Sequence, residues 1–475
     1  MVARRLFLAL LAAASVAASA SAAPQRRAQA PEVCPRCAPP VFVITGRGWG
    51  HGVGLSQYGA LGFAREGSGY EEILAHYYQG TQLTDAPVKR IRVLLKAGAK
   101  TLDVGSDAPF RVRDALAGLH ELPAGTQRFG PGLRLREVGH AKPTKLEGPL
   151  VFLPSAEPLR LRGRAYRGEL RVTAQGARLK AINTLGLEAY LYGVVPSEMP
   201  DRWPAEALKA QAVAARSYAL ATKRSGEFEV YSDVRSQVYR GIPEEEDSTN
   251  EAIDATAGQV VTYDGQVAHT YFFSTSGGRT ATVTEVWPSS KPIPYLVSVA
   301  DPYDSLSPYH RWGPVVFTAK AARAKLKVPG PLRELRTVVT PSGRVGTLAA
   351  AGPAGETMVT GADVRTRLGL RSTWFRVGAL ALAPPEGPVP PGGQLTLNGL
   401  ARGLVGVVLE QKLAGESWKP FANVKPAAGG GFAIAVQPTA TTLYRLAFRT
   451  ARSASIRVTV STSAATSGML RRRPW

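Results

Sequence analysis

Glu198, in the short Pro-bounded loop VVPSEMPDRWP expected between two helices, is the carboxylate whose neighbours best suit it to acid–base work. Pro196 and Pro200 constrain the backbone on either side, because a proline ring locks φ and restricts the residue before it. Val194, Val195, Met199 and Trp203 surround it with apolar side chains. Burial disfavours the charged form, so such a glutamate is expected to hold its proton near neutral pH and act as a general acid. A Glu ahead of a helix can instead stabilise that helix's N-terminus. Glu206, already inside the first turn of the next helical run, suits that duty better. Asp201 and Asp233 are nearby in sequence, and spacing turns neither toward Glu198.

Other chemistries lack their residues. There is no GxxxxGK[ST] loop, no HExxH pair and no GxSxG elbow, and the histidines are His51, His76, His120, His140, His269 and His310. The two cysteines, Cys34 and Cys37, stand together in CPRC. They either form a tight local disulfide or lie in a flexible leader, and zinc would need two further ligands that no second pair supplies. Neither a metal nor a cofactor is expected.

The elements that must position Glu198 follow from periodicity. LGLEAYLYGVV (185 to 195) and WPAEALKAQAVAARSYALAT (203 to 222) read as helices, the second opened by Pro204 and Glu206 and lined on one narrow face by Leu208, Ala212, Ala215 and Ala219. Upstream, 88–184 is strand text (IRVLL, FRVR, LVFL, ELRVTA) cut by Gly, Pro and Asp, an all-β subdomain. Downstream, strands resume after Val260, with a turn at Gly277 and Gly278. The segment 383–393, APPEGPVPPGG, reads as a stiff Pro-rich linker, and 394–461 as a small β-sandwich before a basic tail, 462–475. The fold class expected is α+β: a β-rich domain with a few helices around a cleft, plus the C-terminal sandwich.

Residues 1–23, with Arg4, Arg5 and the run LFLALLAAASVAA, have the form of an export signal, followed by a leader over 24–40. No later run approaches the length of a membrane span. The formal net charge of +22 would ordinarily point to a polyanion such as nucleic acid. An exported chain without base-stacking or groove-reading motifs points instead to cell wall or membrane surface, with nucleic acid excluded as partner.

The 41–83 block opens on VFVIT and continues GRGWGHGVGLSQYGA, six glycines around His51. Glycine loses more freedom on folding than any other residue, so the backbone there must turn sharply or approach something closely.

VVPSEMPDRWPAEALKAQAVAARSYAL resembles the signature of the stage II sporulation protein D / LytB family of cell-wall proteins, as do YSDVRSQVYRG, ATAGQVVTYDGQ, TYFFSTSGGRTAT, YLVSV with Asp301, SPYHRW and GLRSTWFRV. The resemblance spans 41–377 in pieces, giving a family-like domain over 41–382 with its helical and β core at 185–377. It implies a lytic transglycosylase that cuts glycan strands stripped of stem peptides, at the bond between N-acetylmuramic acid and N-acetylglucosamine, with Glu198 as its single acid/base. LytB-type relatives imply the alternative, a non-catalytic wall protein that enhances a separate amidase. The Gly-rich block resembles text that in family members follows GLRSTWF, so a circular permutation is implied, with an immunoglobulin-like module appended at the C-terminus. Gln237, Tyr239, Ser274, Thr275, Gly277 and Gly278 become candidates for holding sugars. His51, Gln57 and Tyr58 either line the cleft or belong to scaffold, with His51 buried and satisfied. Two departures matter: Tyr231 and Ser236 stand where zinc-bearing relatives have cysteines, and Phe273 stands where the family often has His.

Overall fold

The structure, a computed structural model, describes residues 34–462. The expected export signal and the arginines of the basic tail lie outside them.

Alternation builds the first unit. FRVR buries Phe110 and Val112 and exposes Arg111 and Arg113, the period-two pattern of a half-buried strand. A seven-stranded sheet runs in the spatial order Val230–Tyr231, Arg90–Ala99, Arg178–Gly186, Glu169–Gln175, Leu150–Leu153, Phe110–Arg113, Leu119–Leu122. A four-stranded sheet that includes Leu102–Ser106 and Gly125–Phe129 shares its core, where Phe129 and Phe152 stack with ring centroids 5.7 Å apart. The 88–184 strands thus form one unit, and Val230–Tyr231, from distant text, closes its edge in parallel.

Six helices make the second unit: α1 (Gln57–Arg65), α2 (Tyr70–Tyr77), α3 (Leu187–Tyr192), α4 (Val195–Glu198), α5 (Ala205–Ala221) and α6 (Asp247–Ala255). Alanine, the best helix former, dominates α5. The apolar face is not the narrow stripe expected: α5 is buried on nearly every side, because α1, α2 and α6 all pack on it and its small side chains let them approach. Arg216 of α5 is fully buried and pairs with Glu188 of α3, Nε to Oε1 at 3.0 Å, while Nη1 donates to the carbonyl of Gln259 at 3.0 Å. A buried guanidinium left unpaired is strongly unfavourable, so this pair fixes α3 against α5 on either side of α4.

In the third unit, Val41–Gly46 lies antiparallel between Trp312–Thr318 and Phe375–Leu382, with Ile44 opposite Val377 and Gly46 opposite Phe375. Phe42 and Ile44 enter a core with Phe317, Leu348 and Val364, whereas Val43 enters another with Leu380, Leu397 and Leu446. Both faces of the strand are covered, and its text is therefore continuously apolar rather than alternating. The Gly-rich block continues from this strand and packs beside 369–377: the Gly50 N–H donates to the Arg371 carbonyl at 3.0 Å.

The C-terminal region departs from the expected spacer and separate sandwich. Leu395–Arg402 pairs directly with Phe375–Leu382, Leu382 opposite Gly399, and Gly431–Val436 pairs next to it, so 383–393 connects neighbouring strands of one sheet. A second sheet, containing Val408–Leu413, Lys419–Asn423 and Thr442–Phe448, meets the same core as Val43, Leu380 and Leu382. Cys34 and Cys37 form a disulfide, and Cys37 is buried in the core of Phe42 and Ile44.

Candidate functional site

Glu198 is the last residue of the one-turn helix α4, not part of a loop. Pro196 sits in the first turn, where its missing N–H leaves no bond unmade, and Met199 breaks out into extended backbone. Val195 and Met199 are buried, Trp203 half-buried. Burial raises the Glu198 carboxyl above its ordinary 4.5, and the backbone N–H of Val238 pulls it part of the way back. The hydroxyls of Tyr190 and Tyr218 lie close enough to feel its charge, although desolvation is the main reason both titrate high. Neither tyrosine is distinguished by spacing in the sequence.

The Gly-rich block reaches the backbone of Glu198 through α1. Ser56 caps α1 by accepting from the Gly59 N–H at 3.3 Å, which sets Gln57 in the first turn. The Gln57 amide then donates to the backbone carbonyl of Glu198 at 2.9 Å and, more weakly, to Gln211 Oε1 at 3.4 Å. Tyr58 packs edge-on against Trp203 with centroids 5.0 Å apart, and its N–H donates to the Ser274 carbonyl at 3.0 Å. The structure therefore brings together Gln57, Tyr58, Glu198 and Ser274.

Gly48, Gly50, Gly52 and Gly54 all have left-handed φ, between +73° and +120°. At Gly48 a Cβ would also come within 2.7 Å of the Thr275 carbonyl oxygen, so conformation and close approach both demand glycine. This weave threads Trp49 into a bridge with Thr275 and places His51 among Tyr271, Phe273 and Trp287. His51 Nε2 donates to the Phe272 carbonyl at 3.0 Å, and its Nδ1 accepts from the Val53 N–H at 3.1 Å. Desolvation lowers its pKa to about 4, so the ring stays neutral. Both nitrogens are used inside the fold, which fits the scaffold alternative.

The other candidates are engaged as well. Gln237 accepts from the Tyr190 hydroxyl at 3.1 Å, and Tyr239 donates to Asn183 Oδ1 at 2.9 Å; both side chains are buried. Thr275 bonds to Ser307 at 2.8 Å and to Ser274 at 3.2 Å. Asp304, which no sequence pattern singled out, is buried and accepts from the N–H groups of Ser276 (2.6 Å) and Gly277 (2.9 Å) while facing His310 Nδ1 at 2.8 Å. Beside it, burial and the charge of Asp304 lift Asp301 to about 6. The side chains of Ser274 and Tyr58 and the backbone of Gly278 keep partial exposure. Among the described residues, no three His, Cys, Asp or Glu side chains cluster as metal ligands.

Residues 175–263, which include Glu198, Gln237 and Tyr239, match the family model described as stage II sporulation protein. An uncharacterised protein of Brachyspira hyodysenteriae is 37% identical over 172 residues, covering 35% of this chain and 45% of its own length. Stage II sporulation protein D of Bacillus subtilis is 33% identical over 217 residues, 41% of this chain and 61% of its own length. The amidase enhancer of the same organism is 42% identical over 114 residues, 24% of this chain and 15% of its own length. The chain thus spans less than two thirds of the length of either of the first two relatives, 45% and 61%. Through residues 175–263, which carry Glu198, the chain contains a domain that matches the stage II sporulation protein family, and the similarity to stage II sporulation protein D and to the amidase enhancer is of part of the chain.

Proposed function

We propose that the chain is an exported lytic transglycosylase that cleaves the bond between N-acetylmuramic acid and N-acetylglucosamine in peptide-free glycan, with Glu198 as its single acid/base. The observation that carries this reading is the Glu198 carboxyl, raised by burial on a turn that Gln57 holds by its last carbonyl. Such a group arrives protonated at a pH where an exposed glutamate is ionised. Glu198 protonates the glycosidic oxygen as the bond to C1 breaks. The resulting carboxylate accepts the proton of the muramic C6 hydroxyl while that oxygen closes on C1. The product end is 1,6-anhydromuramic acid, no water is consumed, and the second carboxylate of a hydrolase is not needed.

Of the candidates for holding sugars, we retain Tyr58, Ser274 and Gly278 as surface contacts. We assign Gln237, Tyr239, Thr275, Gly277 and His51 to the shell that keeps them in place. The position of the Gly-rich block, packed where family text runs on after GLRSTWF, supports circular permutation.

Similarity to a protein named amidase enhancer favours a second reading, a wall-binding protein that promotes a separate amidase. Incubating the purified chain with peptide-free glycan separates the two. New chain ends support the enzyme; glycan bound but uncut supports the enhancer.

A further inference from the structure

At the end of the Val41–Gly46 sheet, three ring- or guanidinium-bearing residues converge from separate segments. Trp49 is 40% exposed and meets Tyr309 edge-on with centroids 4.5 Å apart. The Arg371 guanidinium lies 4.1 Å from the Tyr309 ring centroid and 4.8 Å from that of Trp49. Each is locked through its own backbone. Gly48 donates to the Tyr309 carbonyl at 2.9 Å, Trp49 and Thr275 exchange bonds at 2.8 and 3.0 Å, and Gly50 donates to Arg371 at 3.0 Å. A large exposed aromatic held this firmly is preorganised for contact, since no loop has to order when something binds. Trp, Tyr and Arg are also the residue types that dominate binding hot spots.

The surroundings are concave and positive. Trp49 and Arg371 line a groove of about 590 Å³ with Trp312, Pro314 and Leu370. Arg47, Arg311 and Arg376 stand around the same strand ends, close enough that the charges of Arg311 and Arg376 add to burial in lowering the Arg47 pKa. Among the described residues none of Arg47, Arg311, Arg371 and Arg376 has a carboxylate partner. Guanidinium groups that have no internal anion and sit beside a stacking surface suit a ligand with both a flat apolar face and a carboxylate.

We propose that Trp49, Tyr309 and Arg371 form a binding site for an anionic sugar, its ring against the exposed aromatic surface and its carboxylate on the Arg371 guanidinium. A muramic residue presents such a carboxylate on its lactyl group once the stem peptide is gone, and an uncharged amide while the peptide is attached. The identity of the sugar rests on the glycan reading above. Trp49 and Gln57 are eight residues apart, which keeps the site within about 28 Å of the Gln57–Glu198 contact, a distance an extended glycan strand spans. The site would let the protein recognise strands already stripped of peptide.

The test is binding to the full chain carrying Glu198→Gln, so that no turnover intervenes. Three probes are used: soluble glycan with free lactyl carboxylates, the same glycan with those carboxylates converted to methylamides, and poly(glycerol phosphate). The free-acid glycan is expected to bind about tenfold or more tighter than the amide. Arg371→Gln should abolish that preference, Trp49→Ala should weaken both glycans, and Trp49→Phe should recover part of the loss. Thermal melting checks that each variant folds. Equal binding of acid and amide, or a preference that survives Arg371→Gln, overturns the proposal. So does poly(glycerol phosphate) binding as tightly and with the same dependence on Arg371 and Trp49, because charge without a sugar would then suffice. Carboxylate-dependent binding of a glycan that the unsubstituted chain never cuts sinks the catalytic reading and leaves this one standing; cleavage with no carboxylate preference does the reverse.

Discussion

The Gln57 side-chain amide donates to the backbone carbonyl of Glu198 at 2.9 Å across 141 residues of sequence. The Gly-rich block is thereby part of the apparatus that holds the turn carrying the candidate acid. Gln57→Ala should open a void beside α4 that water can enter and return the carboxyl toward 4.5. A general acid works only while protonated, so the alkaline limb of the cleavage profile should move to lower pH, with activity at neutral pH down roughly tenfold. An unmoved limb would detach Gln57 from the site.

The raised pKa of Glu198 carries a stability cost of definite sign. The folded state holds this proton more tightly than the unfolded chain, so its contribution is fully present below about 4.5 and is lost as pH rises through the folded value. Glu198→Gln removes the charge and hence this loss. Melting temperatures of the two proteins should be closest at pH 4 and separate in favour of the variant toward pH 8. The opposite trend would mean that Glu198 is stabilised as an anion.

Gly59 faces the buried Tyr77 hydroxyl and both Asp301 oxygens so closely that a Cβ would overlap them. Neither group can swing into solvent. Gly59→Ala should therefore destabilise by about 1–3 kcal/mol, the range for an overpacked core, despite alanine's better helix propensity. Denaturant titration measures it, and a neutral result would show that α1 can shift.

Deleting 394–475 would strip two strands from the sheet and uncover Val43, Leu380 and Leu382, all fully buried. Each re-exposed side chain loses about 1.5–3 kcal/mol of burial. The truncated chain should be insoluble or melt far lower. A soluble truncation with an unchanged melt would restore the idea of an independent module.

What the sequence revealed and what it hid divide along contact range. Helix α5 and the alternating strands between Arg90 and Gly186 are local patterns, and their text announces them. The burial of Glu198 was legible in the prolines and apolar residues beside it in the sequence, whereas the Val238 N–H and the tyrosines Tyr190 and Tyr218 near it come from other elements. The one-turn helix it ends was not, since four residues carry no periodicity. Gln57 could be marked only as polar in an unusual block, because its partner comes from another element. Gln237, Tyr239 and Thr275 show the same limit from the other side: their types suit sugar binding, yet burial, which no local pattern reports, commits them to Tyr190, Asn183 and Ser307. The 383–393 segment has the composition of a spacer, but composition cannot tell that the strands flanking it pair with each other.

The measurement that bears most directly on the central claim is mass spectrometry of peptide-free glycan digested by the full chain and by its Glu198→Gln variant. The variant keeps the volume of the side chain and removes its exchangeable proton. Anhydromuramic ends are expected from the unsubstituted chain, falling by about 10²- to 10⁴-fold in the variant while glycan binding persists. Reducing muramic ends, heavier by one water, would mean hydrolysis by a second carboxylate, and undiminished cleavage by Glu198→Gln would remove Glu198 from the chemistry.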